Sequence, residues 1–103
     1  MSAPREAPDR ITRIRNALQR ALHTDRIDLV DDSHLHAGHA GARDGRGHFR
    51  VRIVSDDFQD LRVLQRHQLV YRALDALMQT DIHALNITAQ TPDEAGADDV
   101  DRR

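Results

Sequence analysis

Apolar residues recur at helical spacing near the start of the chain, after eight residues without periodicity. Asp9 is well placed to cap this helix, because a carboxylate accepts hydrogen bonds from the first free backbone N–H groups. The apolar positions fall three or four residues apart, at Ile11, Ile14, Leu18, Ala21 and Leu22. Ile27 and Leu29 then alternate with Asp28, and Val30 follows before a break at Asp31-Asp32, which predicts a short first strand.

The second strand has the clearest pattern in the chain. Phe49, Val51 and Ile53 alternate with Arg50 and Arg52. Successive side chains of a strand point to opposite faces of the sheet, so this pattern predicts one apolar face and one solvated face.

A second helix and a last strand follow. Capping residues at 55–57 precede the helix. Its apolar stripe is formed by Leu61, Leu64, Tyr71, Leu74 and Met78, with Val70 and Leu77 beside it. Residues 82–90 predict a strand that Thr91-Pro92 ends. Residues 93–103 are acidic and lack an apolar pattern, which predicts a disordered tail.

This order of elements predicts an α+β domain. The first two strands can pair antiparallel across the segment that joins them, and a right-handed helical crossover makes the second and third strands parallel. We therefore expect a three-stranded mixed sheet with helices packed on one face. The chain divides into a loose N-terminal tail at 1–8, a domain at 9–92 and an acidic tail at 93–103.

Composition narrows the classes of function. The chain has 103 residues and no cysteine, which excludes disulfides and any zinc or iron–sulfur site built from its own thiolates. A net charge of −2 argues against a strongly basic nucleic-acid binder.

No signal-peptide segment or membrane-spanning run is present, so we expect a cytoplasmic protein. Phosphate-loop, nucleophile-elbow and zinc-protease motifs are missing, so we expect no enzyme.

Seven histidines are the main candidates for chemistry. His34, His36 and His39 lie in a glycine-rich segment at 33–47, which predicts a long mobile loop, and His48 closes it. This spacing suits divalent metals that accept imidazole ligands. A solvated polar loop explains the same residues equally well.

Two further histidines lie within predicted elements. His83 opens the last strand in phase with Leu85 and Ile87, which predicts a side chain on the inward side near the sheet edge. By position alone, a hydrogen-bonded structural histidine is the commoner case there. His67 lies one turn before Tyr71 on the second helix, where we expect packing and hydrogen bonding.

Several motifs together resemble the BolA family. They are DDSHLH at 31–36, HFRV at 48–51, VSDDF at 54–58, LQRHQLVY at 64–71 and IHAL at 82–85, followed by Thr91-Pro92. The resemblance extends across residues 10–92 with matching order and spacing. It implies a KH-like fold of class II, in agreement with the predicted elements.

The resemblance also implies a partner and a cofactor. Members of this family pair with a monothiol glutaredoxin, and the two proteins share a bridging 2Fe–2S cluster that also involves the partner's glutathione. One family ligand is the histidine that opens the last strand, which corresponds to His83. The other comes from the loop between the first two strands and corresponds to His36, with His39 or His34 as substitutes. The chain departs from the family at Asp60, where glycine is usual, and it lacks the loop cysteine of some members.

Two other functions stay open. The family is often assigned a role in transcription, and residues 43–72 carry seven arginines against four aspartates. The arginines that could make weak phosphate contacts are Arg50, Arg52, Arg62, Arg66 and Arg72. No Gly-x-x-Gly clamp of the KH type stands in the predicted helical regions; the one Gly-x-x-Gly spacing in the sequence, at residues 38–41, lies in the histidine loop. The other alternative is a stand-alone divalent-metal site in the histidine loop, and a homodimer of the apo protein is also compatible with the sequence.

Overall fold

The structure is a computed structural model that describes residues 9–33 and 47–101. Its helices are α1 (Arg10–Ala21), α2 (Val63–Ala73), α3 (Asp75–Thr80) and α4 (Pro92–Asp101), and its strands are β1 (Ile27–Asp31), β2 (Gly47–Val54) and β3 (Ile82–Gln90). A 3₁₀ turn at Asp56–Phe58 follows β2. The predicted N-terminal tail at 1–8 and most of the predicted mobile loop, residues 34–46, lie outside the described residues, so both stay predictions.

The three strands form one mixed sheet in the order β1-β2-β3. β1 pairs antiparallel with β2, and Leu29 lies opposite Val51. β2 pairs parallel with β3, and Val51 lies opposite Ile87. This topology confirms the predicted α+β fold with a three-stranded mixed sheet.

The hydrophobic core lies between one face of the sheet and the helices. α1 begins as predicted, because the backbone N–H of Thr12 donates to the Asp9 carboxylate at 2.8 Å. The largest fully buried side chains come from both strands and helices, and they are Ile14, Leu18, Leu22, Phe49, Ile53, Phe58, Val70, Leu74 and Ile82. Two phenylalanines and aliphatic residues therefore make up the interior.

In the second helical region, the positions that are buried differ from the apolar stripe that the sequence predicts. Val70 and Leu74 are buried as predicted, but Leu64 is 67% exposed and Tyr71 is 41% exposed. The reason is Arg66, which takes the buried position on the first turn of α2 and donates hydrogen bonds to two backbone carbonyl oxygens. A charged residue at an inward position shifts the apparent hydrophobic period of the segment.

The acidic tail also differs from its predicted disorder, because residues 93–101 continue the helix α4. Thr91 and Glu94 form a reciprocal cap, in which the Thr91 N–H donates to Glu94 Oε1 at 2.9 Å and the Glu94 N–H donates to Thr91 Oγ1 at 3.3 Å. Ala95 is fully buried, and the Glu94 carboxylate pairs with the Arg66 guanidinium. Composition alone does not predict this helix, because the contacts that stabilise it are the Thr91–Glu94 cap, the buried Ala95 methyl group and the Arg66–Glu94 ion pair.

Asp60, which follows the 3₁₀ turn, has a φ of 64° in the left-handed region. This conformation strains residues that carry a Cβ. Asp60→Gly should therefore raise the free energy of unfolding by up to about 1 kcal/mol, as measured by urea unfolding. Gln59→Gly is the matched control, because Gln59 has a φ of −57° and gains nothing from glycine. Equal destabilisation by both substitutions would contradict strain at Asp60.

Candidate functional site

The parallel pairing of β2 and β3 has one irregularity, where both strands begin. Gly47 lies opposite Ile82 and His48 lies opposite Ala84, so His83 is an extra residue with no counterpart on β2. A bulge of this kind interrupts the alternation of side chains and re-aims them. His83 is accordingly exposed, whereas strict alternation along the strand predicts an inward side chain.

His48 and His83 come together at this bulge. Their ring centroids are 5.1 Å apart and their ring planes make an angle of 51°, so the rings are adjacent without being stacked. His48 is partly buried and His83 is exposed. From the sequence, His48 is only the end of the loop, and nothing there indicates that it meets His83.

The base of the histidine loop lies beside this pair. The Asp32 N–H donates to the His48 carbonyl oxygen at 2.8 Å, and the His48 N–H donates to the Ser33 hydroxyl at 3.1 Å. Gly47 is required here, because a Cβ would lie 2.6 Å from Ser33 Oγ and 2.8 Å from the Phe49 ring. The two ends of the loop are therefore held against each other next to His48.

The loop histidines His34, His36 and His39 lie outside the described residues, so their assignment as ligands stays a prediction. Ser33, the last described residue before these histidines, is held beside His48 by the hydrogen bond from the His48 N–H to its hydroxyl.

An open groove runs from His48 along β3 toward α2. Its volume is about 480 Å³, and its lining includes His48, His67, Tyr71, Leu85 and Ile87. His67, for which the sequence predicts only packing and hydrogen bonding, contributes to this lining and is partly exposed. The surface that continues from the histidine pair is therefore a mixture of imidazole, phenol and aliphatic groups.

The arginines considered for phosphate contacts differ in their partners. Arg66 is 11% exposed and its guanidinium pairs with the Glu94 carboxylate at 2.6 Å, so it is not part of a basic surface. Arg50 and Arg52 donate hydrogen bonds to an aspartate and a glutamine side chain. Two further residues of the set are exposed, Arg62 and Arg72. For these four arginines, contact with nucleic acid stays a prediction.

Two properties of the described ranges, 9–33 and 47–101, bear on the other functions considered. In these ranges no three histidine, aspartate or glutamate side chains converge in a way that would hold a metal ion. None of the helices described is both long and apolar enough to cross a bilayer. The stand-alone metal site in the loop and the cytoplasmic location stay predictions.

Sequence comparison relates the chain to known proteins. The profile of the family described as BolA-like protein matches residues 18–94. The chain is 39% identical over 94 residues to the chloroplastic protein BOLA1 of Arabidopsis thaliana, an alignment that covers 88% of this chain and 59% of that protein. It is 42% identical over 87 residues to the chloroplastic/mitochondrial SufE-like protein 1 of the same plant, covering 80% of this chain and 24% of that protein.

Structure comparison gives the same relationship. The BolA domain of SufE1 from Arabidopsis thaliana superposes with a TM-score of 0.73 at 38% identity, covering 86% of this chain and 99% of that domain. The profile match at 18–94 includes both His48 and His83, the adjacent histidines of the β2–β3 bulge. The motifs, the fold and these matches agree, and the chain belongs to the BolA family.

Proposed function

We propose that the chain is a non-enzymatic adaptor that pairs with a monothiol glutaredoxin and completes a 2Fe–2S cluster bridging the two proteins. The observation that carries this proposal is the exposed His83 at the β2–β3 bulge, beside His48 and the fixed base of the histidine loop. The residues on either side of His83, Ile82 and Ala84, are both paired with β2, and His83 itself is exposed at the surface where a partner would dock.

The donor groups of the chain suit a cluster that two proteins share. A 2Fe–2S cluster takes four protein or cofactor ligands, usually thiolates, and two histidines can replace two thiolates on one iron. This chain has no cysteine and offers imidazoles, so the glutaredoxin and its glutathione would supply the thiolates. When bound, such a cluster supplies one-electron redox chemistry at a higher potential than an all-thiolate cluster.

For the second ligand we propose His36, with His39 or His34 as its substitute. All three residues follow Ser33, whose hydroxyl accepts a hydrogen bond from the His48 N–H. The loop therefore starts beside the pair of rings that contains His83. Neighbouring histidines in one loop allow one imidazole to replace another at the same iron.

One relative supports a role as an adaptor. A BolA domain occurs within SufE-like protein 1, where the alignment covers only 24% of the longer chain. In that protein the domain is covalently joined to another polypeptide segment. An adaptor likewise acts together with another polypeptide, which it binds and to which it presents ligands.

The test is to mix the purified chain with a cluster-loaded monothiol glutaredoxin and to record visible absorption and circular dichroism. The proposal requires a new dichroism spectrum that saturates as the chain is added. His36→Ala should weaken the new spectrum partially, and adding His39→Ala should remove most of the remainder. His67→Ala, which changes a histidine of α2 that lines the groove beside His48, is the matched control. An unchanged glutaredoxin spectrum at excess chain would reject the proposal.

A further inference from the structure

We propose that His48 and His83 together bind one divalent transition-metal ion of the zinc type in the isolated chain. This site lies at the β2–β3 bulge and needs no glutaredoxin. It shares His83 with the proposed function but takes its second imidazole from β2 rather than from the loop. Neutral imidazole suits Zn²⁺ and Ni²⁺, whereas Mg²⁺ and Ca²⁺ prefer oxygen ligands.

The separation of the two rings matches a pair of ligands on one ion. Zinc lies about 2.0–2.1 Å from an imidazole nitrogen, so two imidazoles in a tetrahedral site have ring centres on the order of 5 Å apart. The centroids of His48 and His83 are 5.1 Å apart, and the 51° angle between the planes excludes a stacked pair. Within the described residues no third histidine, aspartate or glutamate converges with them. The proposed site therefore needs only these two imidazoles from the described residues, with water able to fill other coordination positions.

Backbone hydrogen bonds hold this part of the sheet before any ion binds. The N–H and the carbonyl oxygen of His48 both have partners, the Ser33 hydroxyl at 3.1 Å and the Asp32 N–H at 2.8 Å. The N–H of the adjacent Gly47 donates to the Asp81 carbonyl oxygen at 2.9 Å, which ties the start of β2 to the residue before β3. A backbone that is already held in place reduces the entropy that is lost when the side chains it carries bind an ion.

The local charges do not oppose a cation. Arg50 lies two residues after His48 on the same face of β2, where a lone guanidinium would repel a metal ion. Its guanidinium is paired with the Asp32 carboxylate, and both residues line the groove that contains His48. This ion pair balances the charge beside the two imidazoles.

The experiment is a Zn²⁺ titration of the isolated full-length chain, followed by imidazole ¹⁵N NMR and by competition with a chromophoric chelator. We expect one ion per chain, with the ring signals of His48 and His83 shifting together. His48→Ala and His83→Ala should each weaken binding by at least about tenfold. His67→Ala, which changes a histidine in the same groove, should bind like the wild type. His48→Gln serves if the alanine variant fails to fold by far-ultraviolet circular dichroism.

A triple variant, His34→Ala with His36→Ala and His39→Ala, separates this site from one in the loop. The proposal requires that the triple variant still binds one Zn²⁺ and that the His48 ring signal still shifts. Lost binding in the triple variant together with wild-type affinity in His48→Ala would place the ion in the loop and overturn the proposal. Absence of Zn²⁺ binding in the wild type would also overturn it. Neither result would touch the shared-cluster function, which is measured with the glutaredoxin present.

Discussion

A His83→Ala protein should give none of the new visible circular dichroism that the wild type produces with a cluster-loaded monothiol glutaredoxin. The reason is the position of His83, an extra residue on β3 between Ile82 and Ala84, which are both paired with β2. No other residue of β3 is a histidine, so a neighbour on the same strand cannot replace the lost imidazole. The thermal midpoint should stay within a few degrees of the wild type, because exposed side chains contribute little to stability.

Substitution of a single loop histidine should reduce the dichroism signal less than substitution of His83 does. The loop histidines stand close together in the sequence, so the effect of losing one should be partial, whereas the effect of losing His83 should be complete. Apo association between the two proteins, followed by analytical ultracentrifugation, should survive in His83→Ala if surface contacts initiate docking. A wild-type dichroism spectrum from a folded His83→Ala protein would remove His83 from the cluster.

Arg66→Met should lower the free energy of unfolding by about 2–4 kcal/mol. The buried guanidinium donates to the carbonyl oxygens of Leu61 at 2.9 Å and Ala89 at 3.1 Å, and it pairs with Glu94. These contacts connect the segment before α2, the end of β3 and α4. Methionine fills much of the volume and makes none of the bonds, so two carbonyl oxygens lose a charged donor.

Controls and pH dependence refine this prediction. Arg72→Met, on the exposed side of α2, should change the free energy of unfolding by less than about 0.5 kcal/mol.

The pKa of Glu94 lies below its usual 4.5, mainly because of the hydrogen bond from the Arg66 guanidinium and, second, because of the hydrogen bond from the Thr91 N–H. The stabilisation from this pair is therefore complete above that value and is lost as the pH falls through the lower folded pKa. Urea unfolding at neutral and acidic pH measures both effects, and equal stability of the Arg66 and Arg72 variants would refute the prediction.

Local patterns were enough to predict most of the fold. Alternation in the segments around Val51 and Ile87 located two strands, and the predicted last strand, 82–90, coincides with β3. The N-cap at Asp9 was visible because capping depends on residues only three positions apart. Such signals are short-range and repeat along each element, so one unusual residue does not hide them.

Local sequence patterns do not predict two features of the site region and its surroundings. The β2–β3 bulge is a shift of one residue in the pairing of distant segments, and it leaves no mark on the hydrophobic pattern of either strand. The meeting of His48 and His83 depends on that shift. The Arg66–Glu94 pair joins residues 28 positions apart, so the local sequence pattern indicates a surface arginine and a glutamate in a disordered tail, and does not indicate the ion pair.

The hydrogen bonds at the base of the histidine loop also have an evolutionary consequence. Ser33 and Gly47 fix two adjacent points on the domain, so a segment of any length that joins them leaves the fold beneath it unchanged. Doubling the length of such a segment costs only about 0.6 kcal/mol in closure entropy. Insertions, deletions and substitutions between these points should therefore cost the domain little stability. Natural variation can change the length and the side chains of this segment while the domain stays the same.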